Sequence, residues 1–229
     1  MNLKISGRKI AKWVIWSVVI ILFLVFFIRV VTFEDNYYSS KEGTERAVTE
    51  ESSTDTNADL DETEPTDAEV AEYTVAADRP RYLTIEKLGI KKSRVLAMGV
   101  NKSGELDTPR NIFDVGWYES SGKPGQGGTM VIDGHNGGPH VYGVFKNLPN
   151  LATGDIIQIE RGDGVIFKYK VVENTSVDLN DSDAYMSTAM RSPETGIESV
   201  TLISCTGEWS QLQGTYLSRQ FTRAVIMEN

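Results

Sequence analysis

Hydrophobic and polar positions divide the chain into three stretches of different pattern. From residue 79 onward, short apolar runs recur between turn-forming residues. The runs fall at 82–85, 93–97, 128–132, 155–159, 165–172, 199–205 and 220–227. Breaks fall at Gly89, Lys102-Ser103-Gly104, residues 122–127, Gly162-Asp163-Gly164 and Thr206-Gly207. Runs of this length, rich in β-branched and aromatic residues and bounded by glycine, read as strands. The Gly162-Asp163-Gly164 break between two such runs predicts a β-hairpin. A helical apolar period is rare, with 142–151 the best short candidate and 183–190 a second. Strands spaced this way predict a mainly antiparallel sandwich or barrel. Residues 79–229, about 150 in number, have the length of one domain. No internal repeat is present.

The first 33 residues follow another pattern. Lys4, Arg8, Lys9 and Lys12 precede an uncharged apolar run over 13–28, which continues through Arg29 to Phe33. The uncharged part alone is short of the roughly 20 residues that span a bilayer core. It reaches that length at Phe33 if Arg29 snorkels to the outer interface. The competing reading is a cleaved signal peptide, which would place small residues after a shorter apolar region. Val30, Val31, Thr32 and Phe33 stand there instead, which favours an uncleaved signal-anchor. The basic cluster before the span predicts a cytoplasmic N-terminus and an extracellular remainder.

Between them, residues 34–78 are rich in Glu, Asp, Thr and Ser and poor in large apolar side chains. Such a composition cannot bury enough surface to offset its ordering entropy, so an acidic, disordered linker is expected. The charge of the whole chain, -9, is therefore uneven. The linker holds about -13 and the N-terminal segment about +5, which leaves 79–229 near -1. A near-neutral domain carries no electrostatic footprint for nucleic acid. No nucleotide-binding loop is present. Two histidines without HExxH or CxxC spacing give no recognisable metal site, and no cofactor is implied.

The chain has one cysteine, Cys205, at the end of the run 199–205. A lone thiol outside the cytosol is either a small buried hydrophobe or a nucleophile. A nucleophilic thiol needs a base or a lowered pKa, a proton donor for the leaving group, and stabilisation of the developing oxyanion. His135 follows the apolar run 129–132 in a glycine-rich loop, and Arg219 precedes the last strand. Each has an ordinary structural alternative: an inert buried Cys, a loop histidine, an arginine paired with a surface acid.

The ordered set resembles the sortases, membrane-anchored cysteine transpeptidases of bacterial surfaces. Thr201-Leu202-Ile203-Ser204-Cys205 resembles their T-L-x-T-C signature, with Ser204 in place of the usual Thr. Residues 83–90 resemble the family's first strand, Val131-Ile132-Asp133-Gly134-His135 its histidine-bearing strand, and 219–225 its arginine-bearing last strand. Phe145-Lys146-Asn147-Leu148, with Leu151 and Gly154-Asp155, resembles the stretch between them. Gly116-Trp117-Tyr118 and Pro124-Gly125-Gln126-Gly127-Gly128 are similar to class E/F-like members. The resemblance implies a closed β-barrel of about eight strands with short helices, preceded by one transmembrane helix and a linker. It implies catalytic His135, Cys205 and Arg219, with Arg223 four positions away on the same strand face as the alternative arginine. His140 is the less favoured histidine. Ser204, Thr206, Gly207 and Tyr185 are the implied substrate-binding positions, Thr206 and Gly207 through backbone N–H groups. The segment 178–198 would form a wall of the substrate groove, with loop 136–142, Trp117 and Trp209 as further rim candidates. Implied substrates are secreted proteins with a C-terminal LPxTG-like motif, and implied acceptors are amines of a peptidoglycan precursor or a pilin lysine. A cysteine hydrolase of the same fold and a non-catalytic, membrane-tethered binding domain are the alternatives.

Overall fold

The structure, a computed structural model, describes residues 60–101 and 106–227. Eight strands close into one barrel: β1 (Pro80–Ile85), β2 (Ile90–Met98), β3 (Val115–Tyr118), β4 (Thr129–Gly134), β5 (Ile156–Arg161), β6 (Ile166–Asp178), β7 (Ser199–Ser210) and β8 (Thr215–Ile226). Their order around the barrel is β1-β2-β3-β4-β7-β8-β6-β5. Two pairings, β2 with β3 and β4 with β7, are parallel, and the other six are antiparallel. Closure leaves no sheet edge exposed to further pairing.

The seven predicted runs are all strands, and the hairpin at 162–164 joins β5 to β6. β3 was not predicted. It is only four residues long, and Gly116 interrupts its apolar pattern. The segment 142–151 holds only a single 3₁₀ turn, Leu148–Asn150. The second helical candidate is an α-helix that begins four residues earlier, Leu179–Ala189, here α2; α1 is described below.

Side chains alternate across the wall. Inward-facing Met130, Ile132, Val200, Leu202 and Ala224 join Leu83, Ile85, Ile157, Ile159 and Tyr169 in the main core. The opposite face of β4, β7 and β8 carries a second apolar cluster, Val131, Ile203 and Phe221, closed by Ala189, Tyr185 and Met186 of α2. α2 is therefore the lid of an outer-face core, and Thr201 anchors its end by donating from Oγ1 to the Ala189 carbonyl at 2.6 Å.

Asn174 on β6 ties the barrel to the 3₁₀ turn. Its Nδ2 donates to the carbonyls of Leu148, Pro149 and Leu151, and its Oδ1 accepts from Gln220 and Thr222. Gln220 and Thr222 are buried, so losing this acceptor leaves both without a partner they cannot replace from water. Asn174→Ala is expected to lower unfolding stability by about 2–4 kcal/mol, read by denaturant melts.

The expected linker needs a correction. Residues 60–78, part of that segment, are ordered and carry a helix docked on the barrel. The helix α1 (Asp67–Glu72) has a complete capping box, with Thr66 and Glu69 satisfying one another's backbone N–H groups. Tyr73 donates to the Val95 carbonyl at 2.6 Å, Arg81 Nε donates to the Tyr73 carbonyl at 2.7 Å, and the Tyr82 hydroxyl reaches the Val70 carbonyl. Acidic composition hid this because the order comes from docking on the barrel, not from a core of its own. The rest of the linker and the predicted span 13–33 lie outside the described residues. No helix among the described residues is long and apolar enough to cross a membrane.

Candidate active site

Strand register brings three residues together. β4 and β7 run parallel with Asp133 beside Ile203, and Ser204 Oγ donates to the Gly134 carbonyl at 2.9 Å just beyond. His135 and Cys205 each stand two positions past that pair, on neighbouring strands at the same level. On the other side of β7, Cys205 is paired directly with Arg219 of β8. Directly opposed residues of an antiparallel pair have Cβ atoms about 4.5–5.5 Å apart and share a face. His135, Cys205 and Arg219 thus take neighbouring backbone positions in one row across the ends of β4, β7 and β8, next to the Val131–Ile203–Phe221 cluster.

The two candidate arginines differ in packing. Arg223 is buried and committed. It pairs with Glu173 at 2.5 Å and donates to the carbonyls of Thr188 and Arg191, holding the end of α2. Arg219 is half-buried, donates to the Tyr216 and Ser218 carbonyls and to Thr215 Oγ1, and has no carboxylate partner among the described residues. An arginine without a counter-charge beside a thiol is suited to hold an oxyanion.

His135 is half-buried, with Nε2 2.7 Å from the Pro109 carbonyl. A carbonyl only accepts, so Nε2 carries the hydrogen and the neutral ring keeps its lone pair on Nδ1. Burial lowers the imidazole pKa from its ordinary 6.5, with the Pro109 bond opposing. Burial likewise pushes the Cys205 thiol above its ordinary 9.0; Arg219 pulls it back down and Asp133 pushes it further up. At neutral pH both groups rest mainly uncharged. His140 lies on the surface, with Nδ1 2.9 Å from Glu62 Oε2.

The other implied positions differ in their fates. Ser204 is 4% exposed, lies on the opposite face of β7 from Cys205 and donates to the Gly134 carbonyl, which makes it a brace between β4 and β7. Thr206 is half-buried and pairs with Ser218. Gly207 is exposed at φ +83°, where it opens the irregularity in the β7–β8 ladder; a side chain there would be strained. Tyr185 packs on Phe221 with ring centroids 4.8 Å apart, its hydroxyl on Glu173. Trp117 is 1% exposed in the main core, and Trp209 is partly exposed on the β7–β8 hairpin against Tyr216. A cleft of about 970 Å³ between α1, the β1–β2 hairpin and residues 142–147 includes none of the three row residues.

Two features near the row escaped sequence reasoning. Asp133 interrupts an apolar strand two residues before His135, and that break in pattern was the readable signal. Glu62 had none: its carboxylate accepts from the His140 and Val141 amides at 2.8 and 3.1 Å and from His140 Nδ1. Gly138 makes room for it, since a Cβ there would lie 2.3 Å from Glu62 Oε1. Glu62 thereby fastens the loop that follows His135. Glu62→Ala is expected to speed hydrogen exchange at the His140 and Val141 amides by about tenfold, with the barrel strands unchanged.

A closed eight-stranded barrel carries Cys205 on β7, Arg219 opposite it on β8 and His135 just past the end of β4, a set of residue types suited to thiol acyl transfer. The Sortase domain family matches residues 83–226, and the chain belongs to that family, generally cysteine transpeptidases. No curated protein matches the chain. Solved structures similar to it include a Clostridium perfringens Sortase D5 transpeptidase, at 21% identity over 72% of this chain and 90% of that one, TM-score 0.46. Streptococcus pneumoniae Sortase C is similar at 22% identity over 76% and 83%, TM-score 0.49. Corynebacterium diphtheriae Sortase A is similar at 22% identity over 67% and 64%, TM-score 0.47.

Proposed function

We propose that this sortase is a cysteine transpeptidase that cleaves a C-terminal LPxTG-like sorting motif and passes the acyl fragment to an amine. The observation that carries the reading is the Cys205–Arg219 pair on β7 and β8, with His135 one residue past the end of β4, which pairs with β7 up to Asp133 and Ile203. Cys205, as thiolate, attacks the carbonyl of the scissile bond, and the C–S bond forms as the carbonyl π electrons move to oxygen. Arg219 stabilises that oxyanion, helped by backbone N–H groups at Thr206 and Gly207. The oxyanion collapses, the C–N bond breaks, and His135 gives the departing amine its proton. An incoming amine then attacks the thioester, His135 takes its proton, and Cys205 leaves as thiolate.

The opposed pKa shifts set the pH dependence. The competent thiolate–imidazolium form is a minority at every pH. Its fraction peaks midway between a histidine value below 6.5 and a cysteine value above 9.0, and falls on either side.

Acceptors of this chemistry are a peptidoglycan-precursor amine or a pilin lysine, and substrates are secreted proteins bearing the motif. The site then works outside the cell, with the chain anchored by 13–33 and its N-terminus in the cytoplasm. α2 and the loop to β7 form one groove wall. The test incubates the protein with peptides of varied sorting motifs, with and without a diglycine amine, and identifies products by mass. An amine-dependent ligated product supports the reading. Acid product alone, whatever the amine, makes the protein a hydrolase, and no cleavage of any peptide removes the enzymatic reading.

A further inference from the structure

We propose that Asp133 is a positioning residue for the Cys205 site: it holds Thr108 so that the Pro109 carbonyl meets His135, and its carboxylate stands on the outer face beside Ile203, two positions before Cys205. This rests on the transpeptidase reading and assigns a fourth side chain to the same site. Asp133 lies on the outer face of β4, level with Ile203, two residues before His135 and two before the position opposite Cys205. A carboxylate among Val131, Ile203 and Phe221 is out of place unless something holds it. Two structures do. β3 places Gly116 directly opposite, where a Cβ would lie 2.4 Å from Asp133 Oδ1, so the glycine is the cradle of the carboxylate. The segment 106–110 crosses above it, and the Thr108 hydroxyl hydrogen-bonds the carboxylate.

The crossing segment is fixed at several points. Leu106 packs on the outer-face cluster, the Asp107 amide donates to the Gly99 carbonyl, and the Pro109 ring lies over Gly116. Within it, Thr108 and Pro109 are adjacent. One faces Asp133 and the other holds His135 Nε2 at 2.7 Å. Asp133 therefore acts on the imidazole through two residues of another segment. It sets which ring nitrogen carries hydrogen and leaves Nδ1 as the free lone pair.

The electrostatic part has a definite sign. Among the described residues, Asp107 on the crossing segment and Cys205 on β7 couple to Asp133, His135 follows it two residues on along the same face, and Arg219 faces Cys205 from β8. Burial, reinforced by Asp107 and opposed by Thr108, raises the Asp133 carboxyl to about 7. Above that pH it is ionised, which is where the thiol titrates, and its charge holds the thiol up. Removing the charge must lower the pH at which Cys205 becomes nucleophilic.

The test uses the full-length chain in detergent and needs no substrate. One measurement is the pH profile of Cys205 alkylation by iodoacetamide. The other is the ¹⁵N shift of the imidazole nitrogens, assignable because the chain has only two histidines. Asp133→Asn, which keeps a partner for Thr108, is expected to move the alkylation midpoint down by about half a pH unit or more. Thr108→Val, which keeps the charge, is expected to shift the His135 ¹⁵N signals away from the Nε2–H form, and Asp133→Ala to do both. An unmoved midpoint in Asp133→Asn overturns the electrostatic role, and unmoved His135 signals in Thr108→Val overturn the positioning role. If Asp133→Ala does not fold, the two conservative variants carry the test alone. Because neither readout involves peptide or amine, the result stands whichever way the transfer assay falls.

Discussion

Cys205→Ala is expected to abolish peptide cleavage, a loss of at least about 10³-fold, while the melting curve barely moves. The chemical half follows from the absence of a substitute: the chain has no second cysteine, and Ser204 faces the other side of β7 with its hydroxyl bonded to Gly134. The stability half follows from size and place. Cys205 is half-buried at a strand end and makes no disulfide, so removing one sulfur opens little space. Its alanine variant should stay within about 1 kcal/mol of the parent. Measured together, turnover and denaturant midpoint separate a nucleophile from a small core residue. A variant that unfolds easily and also loses activity would point to packing instead.

The second large effect is a split between two arginines four residues apart. Arg219→Ala is expected to cost about 10²–10³-fold in kcat with little change in stability, because its bonds run to exposed or half-buried backbone near the hairpin. Arg223→Ala is expected to do the reverse. It strips the charged partner from Glu173, which keeps only the Tyr185 hydroxyl, and leaves the Thr188 and Arg191 carbonyls without their donor. Loss of a buried pair and two such bonds should cost about 2–4 kcal/mol, less than a fully buried pair because Glu173 still reaches solvent. Steady-state kinetics and urea melts on the two variants read both numbers. Equal kinetic losses would mean that the pairing of Cys205 with Arg219 has no special role.

Local pattern carried most of the barrel into the sequence. Strands such as β4 and β7 begin as runs apolar on alternate or all positions and meet a glycine, Gly134 or Gly207, soon after, so their existence was legible. β3 was not, because four residues around Gly116 give no period to detect. The order His135, Cys205, Arg219 was legible as chemistry, but their convergence depends on β4 and β7 pairing in parallel, which no local signal encodes. Residues 60–78 were misread for the same reason. Composition reports whether a segment can build a core, and α1 needs none because Tyr73, Arg81 and Tyr82 dock it on the barrel. Glu62 is the clearest case, since its partners His140 and Val141 lie far along the chain and only the fold brings them within reach.

The central claim is that Cys205 forms the covalent bond to substrate, and intact-protein mass spectrometry tests it most directly. The full-length chain is mixed with a cleavable sorting peptide without added amine, quenched in acid and digested. The account predicts a mass increase equal to the acyl fragment, localised to the peptide containing Cys205 and released by a diglycine amine as a ligated product. Cleavage of the peptide with no adduct on Cys205, or with the same yield in Cys205→Ala, would contradict it.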